Sequence, residues 1–252
     1  MIVVGITGAS GVIYGIRLLE ALRELNIENT LVMSDLAKVV IESETDYDVD
    51  DVIKMADNYY EFHDLTASIN SGSFKTEGMV IVPCTMKTLS SIANGYGSNT
   101  ITRVADVNLK EKRPLVIVPR ETPLRSIHIQ NMLTLSQEGA TILPAMPGFY
   151  SNPKTIDDQI NFVVGKILDS LKIDNDLIPI DTKYLSNQKL KIETDKAFYI
   201  CESRIYTSII RTLQDLKTLS DVCKVSDGLY EGYVILANDI DFSGYSLTPI
   251  GD

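Results

Sequence analysis

A glycine-rich segment near the amino terminus, Gly5-Ile-Thr-Gly8-Ala-Ser-Gly11, has the composition of a phosphate-binding loop. It follows an apolar run typical of a strand and precedes a stretch with helical periodicity. Glycines let backbone N–H groups and a helix N-terminus approach a phosphate, and the Ser10 hydroxyl adds a donor. Glycines at this place also serve tight packing in sheets that bind nothing, so the loop alone leaves both roles open. It is neither a P-loop, because no Gly-Lys-Ser/Thr follows, nor a dinucleotide GxGxxG.

A second interpretation of the same loop is the opening of a short-chain dehydrogenase. Such an enzyme also needs Tyr-xxx-Lys on a helix, and Tyr150-Ser-Asn-Pro-Lys154 has that spacing. Pro153 lies inside the motif and would disrupt a helix that brings the two side chains onto one face. Tyr14 also stands where the third loop glycine belongs. We therefore reject the dehydrogenase interpretation.

Apolar runs alternate with helical patterns over the first 173 residues, which predicts a three-layer, doubly wound parallel sheet. Ligands of such sheets bind at the carboxyl ends of the strands. The predicted strands are Ile2–Thr7, Thr30–Ser34, Met79–Pro83, Pro114–Pro119 and Thr141–Pro144. The predicted helices include Tyr14–Leu25, Asp35–Ser43, Thr88–Asn94, Arg125–Glu138 and Ile156–Leu171.

The pattern changes after residue 173. The segment that starts at Asp174 is polar and contains a proline, so we expect a linker. Strand-like sequence follows at Lys189–Glu202 and Leu229–Ala237, and apolar residues recur at helical spacing within Arg204–Leu219. We expect two domains, a core at 1–173 and a small C-terminal α+β appendage at 174–252.

Composition excludes several classes of protein. Twenty-three basic and 34 acidic residues give a net charge of −11, which argues against a nucleic-acid binder. No apolar run approaches the ~18 residues of a transmembrane helix, and the first ten residues lack the charged start of a secretory signal. Three cysteines are too few for a disulfide framework, and two histidines offer little for a zinc site. We expect a cytoplasmic protein.

Seven motifs occur in a fixed order, and together they resemble one family, the UbiX-type flavin prenyltransferases, once described as aromatic-acid decarboxylases. The resemblance covers roughly residues 1–173, and the tail has no counterpart in it. The motifs are Thr7-Gly-Ala-Ser-Gly11, Glu42-Ser-Glu-Thr-Asp46, Ser71-Gly-Ser73, Pro83-Cys-Thr-Met-Lys-Thr-Leu89, Arg103-Val-Ala-Asp-Val-Asn-Leu-Lys110, Arg113-Pro-Leu-Val-Ile-Val-Pro-Arg-Glu121 and Pro144-Ala-Met-Pro-Gly-Phe-Tyr150.

The resemblance implies a flavodoxin-like Rossmann variant that binds FMN. It implies transfer of a dimethylallyl group from dimethylallyl monophosphate to reduced FMN. The product, prenylated FMN, would serve a partner decarboxylase of the UbiD type. The family also implies a homo-dodecamer with active sites between subunits.

The resemblance assigns roles to matched positions of this chain. The residues implied for FMN binding are Gly8, Ala9, Ser10, Ser34, Thr85, Thr88 and Arg120. Those implied for the donor are Arg120, Tyr150, Lys166 and Arg103. Those implied for catalysis are Glu44, Glu121, Ser10 and Lys110.

The chemistry of these side chains suits the implied reaction. The planar fork of Arg120 matches phosphate oxygens, whereas Lys166 stands where the family commonly has an arginine and so offers charge without the fork. Glu44 is the acid–base candidate near flavin N5, and Glu121 would orient the clamp or move a proton. Family members often carry a tryptophan just before Ser71-Gly-Ser73, but this chain has none, and Leu65 occupies that region.

Two alternatives to prenyl transfer stay open, and the expected site holds no metal. An FMN-dependent cysteine decarboxylase would share the fold, but its Pro-x-Met-Asn motif departs here at Pro144-Ala-Met-Pro147. A flavin carrier without catalysis would not need Arg120, Tyr150 and Glu121 together. The paired aspartates Asp50-Asp51 and Asp157-Asp158 look like first-turn residues of helices rather than Mg²⁺ ligands, so we expect a metal-free clamp.

Overall fold

The computed structural model describes residues 1–178 and the backbone of four strands further along, at 190–194, 197–201, 206–210 and 233–236. Six strands of the first part form one parallel sheet. These strands are β1 Ile2–Ile6, β2 Asn29–Met33, β3 Asn58–Tyr60, β4 Gly78–Cys84, β5 Leu115–Pro119 and β6 Thr141–Ile142. Their order in the sheet is β3-β2-β1-β4-β5-β6.

Seven helices and one short 3-10 turn at Ser68–Asn70 connect these strands. The helices are α1 Ile13–Glu24, α2 Asp35–Glu44, α3 Val49–Lys54, α4 Met86–Ala93, α5 Thr100–Lys110, α6 Ser126–Gln137 and α7 Ile156–Ser170. None of the helices in the described part of the chain has the length and apolar character needed to cross a membrane.

The sheet is covered on both faces, because successive side chains of a strand point to opposite sides. In β4, Val80 and Val82 belong to a buried cluster with residues of α1 and α7. Met79 and Ile81 belong to a second buried cluster with residues of α4, α5 and α6. The predicted three-layer α/β fold is thereby confirmed.

The predicted elements of the core are present, with ends that shift by a few residues. Two helices and one strand lie outside the predicted set: α3, α5 and β3. Strand β3 has only three residues at the sheet edge and offers no apolar run. Helix α5 begins with Thr-Ile-Thr, which are weak helix formers. A capping box between Asn99 and Thr102 starts α5 nevertheless.

The start of the expected linker is part of the core. Ile178 lies against Gly165 of α7 so closely that a Cβ on that glycine would be 2.6 Å from its Cγ1. Asn175 donates from Nδ2 to Asp169 Oδ1 at 3.1 Å. The polar composition of this segment therefore does not indicate a free linker, because its few apolar residues are used for packing.

The chain divides into two compact units, Met1–Pro179 and Ile180–Asp252. In the second unit, β7 (Leu190–Thr194) pairs antiparallel with β8 (Ala197–Cys201), and β9 (Tyr206–Ile210) pairs parallel with β10 (Tyr233–Leu236). The helical interpretation of Arg204–Leu219 is wrong for residues 206–210, whose Tyr-Thr-Ser-Ile-Ile sequence favours a strand. The other residues of that interpretation lie outside the described part of the chain.

Candidate functional site

The glycine-rich loop after β1 is fixed to the end of β4 by the buried Thr7. The Thr7 hydroxyl donates to the carbonyl of Pro83 at 2.8 Å and accepts from the backbone N–H of Thr85 at 2.9 Å. The strand order reverses between β1 and β4, since β2 and β3 lie to one side and β5 and β6 to the other. Such a reversal opens a crevice at the carboxyl ends of the strands, where ligands bind.

Helix α2 lies against this loop. A Cβ on Gly8 would be 2.5 Å from Leu36 Cγ and 2.6 Å from Leu36 Cβ, so glycine permits the close approach. Leu36 itself keeps 57% of its surface exposed. Gly11 has a φ of +94°, a conformation that glycine adopts without a steric penalty.

Glu44 is the last residue of α2 and reaches the same loop. Its Oε2 accepts a hydrogen bond from the backbone N–H of Gly11 at 2.8 Å. The residues described supply no partner for its other carboxylate oxygen. A carboxylate at the negative end of a helix is not stabilised by the helix dipole. The hydrogen bond from Gly11 is therefore what stabilises the Glu44 carboxylate in this position.

Three hydroxyl residues lie at the helix starts that follow β2 and β4. Ser34 caps α2 by accepting from the N–H of Ala37 at 3.2 Å. Thr85 caps α4 by accepting from the N–H of Thr88 at 3.2 Å, and its hydroxyl donates to the Thr88 hydroxyl at 3.0 Å. The Thr88 proton is thereby left for an incoming acceptor, beside the positive end of a helix. This donor set fits a phosphate ester.

Arg120 follows β5 and contacts the loop from the other side. Its Nε donates to the carbonyl of Ser10 at 3.2 Å, and its backbone N–H donates to the carbonyl of Cys84 at 3.3 Å. Within the described residues, the two terminal guanidinium nitrogens have no partner. The adjacent Glu121 is exposed and accepts from the N–H of Thr122 at 3.1 Å. Arg120 is therefore oriented by the loop and keeps its fork available.

Tyr150 and Lys166 lie around Phe162, on the β6 side of the sheet. The Tyr150 ring meets Phe162 edge to face, with centroids 5.4 Å apart. Lys166 pairs with Asp169 at 3.3 Å and lines a groove of about 490 Å³ together with Met146 and Phe162. Asp169 lines the same groove, so Lys166 would have to exchange this carboxylate for the anion that it binds.

Among the described residues, no hydrogen bond or ion pair joins Lys110 or Arg103 to the glycine loop. Helix α5 leads into the start of β5, so Lys110, at its end, lies near the amino ends of the strands and pairs with Glu111 at 3.0 Å. Arg103, in the first turns of α5, pairs with Asp106 at 2.8 Å. The structure therefore groups Gly8, Ala9, Ser10, Glu44, Thr85, Thr88 and Arg120, with Ser34 at the neighbouring helix start.

Sequence reasoning missed the contacts of Thr7 and Leu36 in this region and those of Arg113 at the opposite edge of the sheet. Thr7 and Leu36 act through contacts with residues far along the chain, which carry no local signal. The guanidinium of Arg113 donates to the carbonyls of Gly72 and Phe74, each at 2.7 Å. It therefore holds the Ser71-Gly-Ser73 motif in place at the amino edge of the sheet.

Cys84 and the two histidines have structural surroundings. Complete burial raises the pKa of the Cys84 thiol far above its ordinary value, so this group is not a nucleophile. His128 accepts from the N–H of Arg125 at the start of α6, and His63 pairs with Asp35 at 2.9 Å on the surface. In the described part of the chain, no three His, Cys, Asp or Glu side chains gather as metal ligands would.

The fold and this site define a flavoprotein: residues 1–169 match the Flavoprotein family. The chain is 55% identical over 177 residues to the flavin prenyltransferase UbiX of Methanothermobacter thermautotrophicus, which covers 70% of this chain and 93% of that protein. It is 51% identical over 176 residues to UbiX of Thauera aromatica, covering 70% of this chain and 91% of that protein.

Solved structures give the same assignment. AnUbiX (PadA1), crystallised with FMN and dimethylallyl pyrophosphate, is 48% identical with a TM-score of 0.68, over 69% of this chain and 92% of that one. A dodecameric FMN-dependent UbiX-like decarboxylase from Escherichia coli O157:H7 is 49% identical with a TM-score of 0.68, over 69% and 96%. The chain belongs to the UbiX-type flavin prenyltransferase family, and the predicted enzyme class and flavin cofactor are confirmed.

Proposed function

We propose that the core of this protein transfers a dimethylallyl group from dimethylallyl monophosphate to reduced FMN and releases prenylated FMN. The observation that carries the proposal is the grouping of Glu44 and Arg120 on one loop: the carboxylate contacts Gly11 and the guanidinium contacts Ser10. A carboxylate and a phosphate-binding cation beside a flavin loop are the two groups that an alkylation with phosphate as leaving group needs.

The chemistry divides between these two groups. The allylic C–O bond breaks with its electrons passing to the phosphate, while the flavin nitrogen N5 forms the new C–N bond and loses a proton. The free guanidinium nitrogens of Arg120 would bind the departing phosphate with two parallel hydrogen bonds. Glu44 would take or return the proton through its unpartnered oxygen. Glu121 would keep the Arg120 segment oriented.

The charge of the donor supports a metal-free clamp. A monophosphate carries less charge than a pyrophosphate, and Arg120, Lys166 and the Tyr150 hydroxyl would neutralise it. The AnUbiX structure contains the pyrophosphate, so both donors belong in the assay. The groove beside Lys166 is lined by Pro144, Met146 and Phe162, which suits a five-carbon apolar group.

The assembly and the recipient of the product complete the proposal. One similar structure is dodecameric, and we propose the same assembly here, with the site between subunits. Lys110 and Arg103, which lie apart from the glycine loop of their own chain, would then serve a neighbouring copy. The product would pass to a UbiD-type decarboxylase in the cytoplasm.

The direct test is a mass measurement. Protein, reduced FMN and dimethylallyl monophosphate are incubated without oxygen and with EDTA, and the flavin is then analysed for the mass of prenylated FMN. A cysteine decarboxylase would instead release CO₂ from a peptide with a C-terminal cysteine, and a flavin carrier would return unchanged FMN. Loss of product with EDTA, reversed by Mg²⁺, would contradict the metal-free clamp.

Arg120→Ala is expected to weaken use of the donor while FMN stays bound. Loss of a charged hydrogen bond costs about 1.5–3 kcal/mol, so KM for the donor should rise by about one to two orders of magnitude. Steady-state kinetics at varied concentrations of dimethylallyl monophosphate measures this KM, and an FMN titration measures the affinity for FMN. Arg23→Ala is the matched control, because Arg23 lies in the last turn of α1, near the amino edge of the sheet. An unchanged KM in Arg120→Ala would contradict the clamp.

A chain that ends at Pro179 is expected to keep prenyl transfer, because the matched motifs and the contacts of Ile178 lie before that residue. A chain that ends at Ile173 should unfold at a lower temperature, since it lacks Asn175 and Ile178 against α7. Thermal unfolding and product formation compare the two. A folded, FMN-bound 1–179 chain without product would show that the C-terminal unit contributes to catalysis.

A further inference from the structure

The contacts of Arg120 and Glu44 converge on one chemical group, the peptide unit between Ser10 and Gly11. Its C=O is the Ser10 oxygen that accepts from Arg120 Nε at 3.2 Å. Its N–H is the Gly11 donor to Glu44 Oε2 at 2.8 Å. In a trans peptide these two bonds point in opposite directions, so the cation and the carboxylate lie on opposite sides of one amide plane.

Gly11 is the residue of the sequence that makes this arrangement possible. The orientation of this peptide plane relative to the chain that follows is set by the φ of Gly11, which is +94°, and a residue with a side chain rarely adopts that value. A charged donor at the oxygen and a charged acceptor at the N–H polarise the same amide, so each hydrogen bond strengthens the other. The peptide is held in one orientation by both charges.

We infer that Glu44 has a second role, as a positioning residue for Arg120, and that the Ser10–Gly11 peptide transmits it. The inference rests on the proposed function of Arg120 as the phosphate clamp. Glu44 orients the peptide by accepting from the Gly11 N–H. The carbonyl of the same peptide orients Arg120 by accepting from Nε, and the other two guanidinium nitrogens are then directed at the prenyl donor. Glu44, which would take the proton from the flavin, and Arg120, which would bind the phosphate of the prenyl donor, therefore contact the same peptide unit.

The consequence is a difference between two variants that carry the same charge. Glu44→Gln keeps an oxygen that accepts from Gly11, whereas Glu44→Ala keeps none. Both remove the carboxylate that would repel the donor phosphate, so comparison of the two isolates the hydrogen bond. Donor affinity should be about 5-fold weaker in Glu44→Ala than in Glu44→Gln, the effect of one hydrogen bond.

The experiment measures binding of dimethylallyl monophosphate to protein loaded with oxidised FMN. The oxidised flavin is used because the proposed reaction alkylates reduced FMN, so binding is measured without turnover. The native protein and five variants are titrated by calorimetry. The variants are Glu44→Gln, Glu44→Ala, Arg120→Ala and the two double variants Glu44→Gln/Arg120→Ala and Glu44→Ala/Arg120→Ala. Glu42→Ala, an exposed carboxylate on the same helix, is the control for net charge. The two double variants should bind the donor with equal affinity, because the hydrogen bond that distinguishes Gln from Ala at residue 44 acts through Arg120.

Three results would overturn the inference, and they have different meanings. If Arg120→Ala binds the donor as the native protein does, the proposed clamp is wrong and the positioning role falls with it. If Arg120→Ala binds weakly but the alanine and glutamine variants of Glu44 bind alike, the clamp stands and the positioning role is wrong. If the two double variants differ in affinity as the two single Glu44 variants do, Glu44 acts on the donor without Arg120.

Discussion

Replacing Glu44 with Gln is expected to slow prenyl transfer by about 10²–10⁴-fold, the usual contribution of a general acid or base. The amide oxygen of Gln still accepts from Gly11, so the loop and bound FMN should be retained. The amide cannot take the proton that leaves flavin N5, and the step after C–N bond formation should stall. In this variant the rate of prenyl transfer should therefore fall while the affinity for FMN stays unchanged.

Single-turnover measurements under anaerobic conditions test this expectation. Reduced FMN bound to the protein is mixed with donor, and the reaction is quenched at intervals for mass analysis. Glu42→Gln, two residues before the end of α2 and exposed, should react at the native rate. A native rate in Glu44→Gln would move the proton transfer to another group, and Glu121 would be the next to test.

The position of the glycine and hydroxyl residues at the carboxyl edge of this sheet can be predicted from the sequence because its signals are local. Glycines and hydroxyl residues stand directly after apolar strands, and the carboxyl ends of parallel strands meet at one edge. Ser10, Thr85 and Thr88 could therefore be placed together before the strand order was known. The fold class follows from the same alternation of strand and helix patterns.

The sequence could not predict which side chains hold the loop. Thr7 meets Thr85, and Gly8 meets Leu36, only because β4 and β2 are the neighbours of β1 in the sheet. No short-range pattern carries that order. The same limit applies to Lys110, whose motif matches the family but whose place near the start of β5 follows from the direction of α5.

Gly8→Ala is expected to weaken FMN binding because it displaces helix α2, and not because the new methyl group contacts the flavin. The added Cβ would lie 2.5–2.8 Å from Leu36 Cγ, Cβ and Cδ2, so the start of α2 must move, and the Ser34 cap with it. Overpacking of this kind costs about 1–3 kcal/mol, which is about 5- to 150-fold in the Kd for FMN. Flavin fluorescence titration measures that Kd.

A second substitution decides whether this steric contact is the cause. Gly8→Ala/Leu36→Gly removes the three atoms that the new Cβ would meet, so FMN affinity should return toward that of Leu36→Gly alone. Leu36→Ala in the same background should rescue less, because its Cβ still lies 2.6 Å from the new methyl group. Gly97→Ala, whose Cβ would lie 3.6 Å from Arg103 Cδ, is the glycine control and should bind FMN normally. Equal FMN affinities of Gly8→Ala with and without Leu36→Gly would show that Gly8 contacts the flavin directly, and that α2 does not set the shape of the loop.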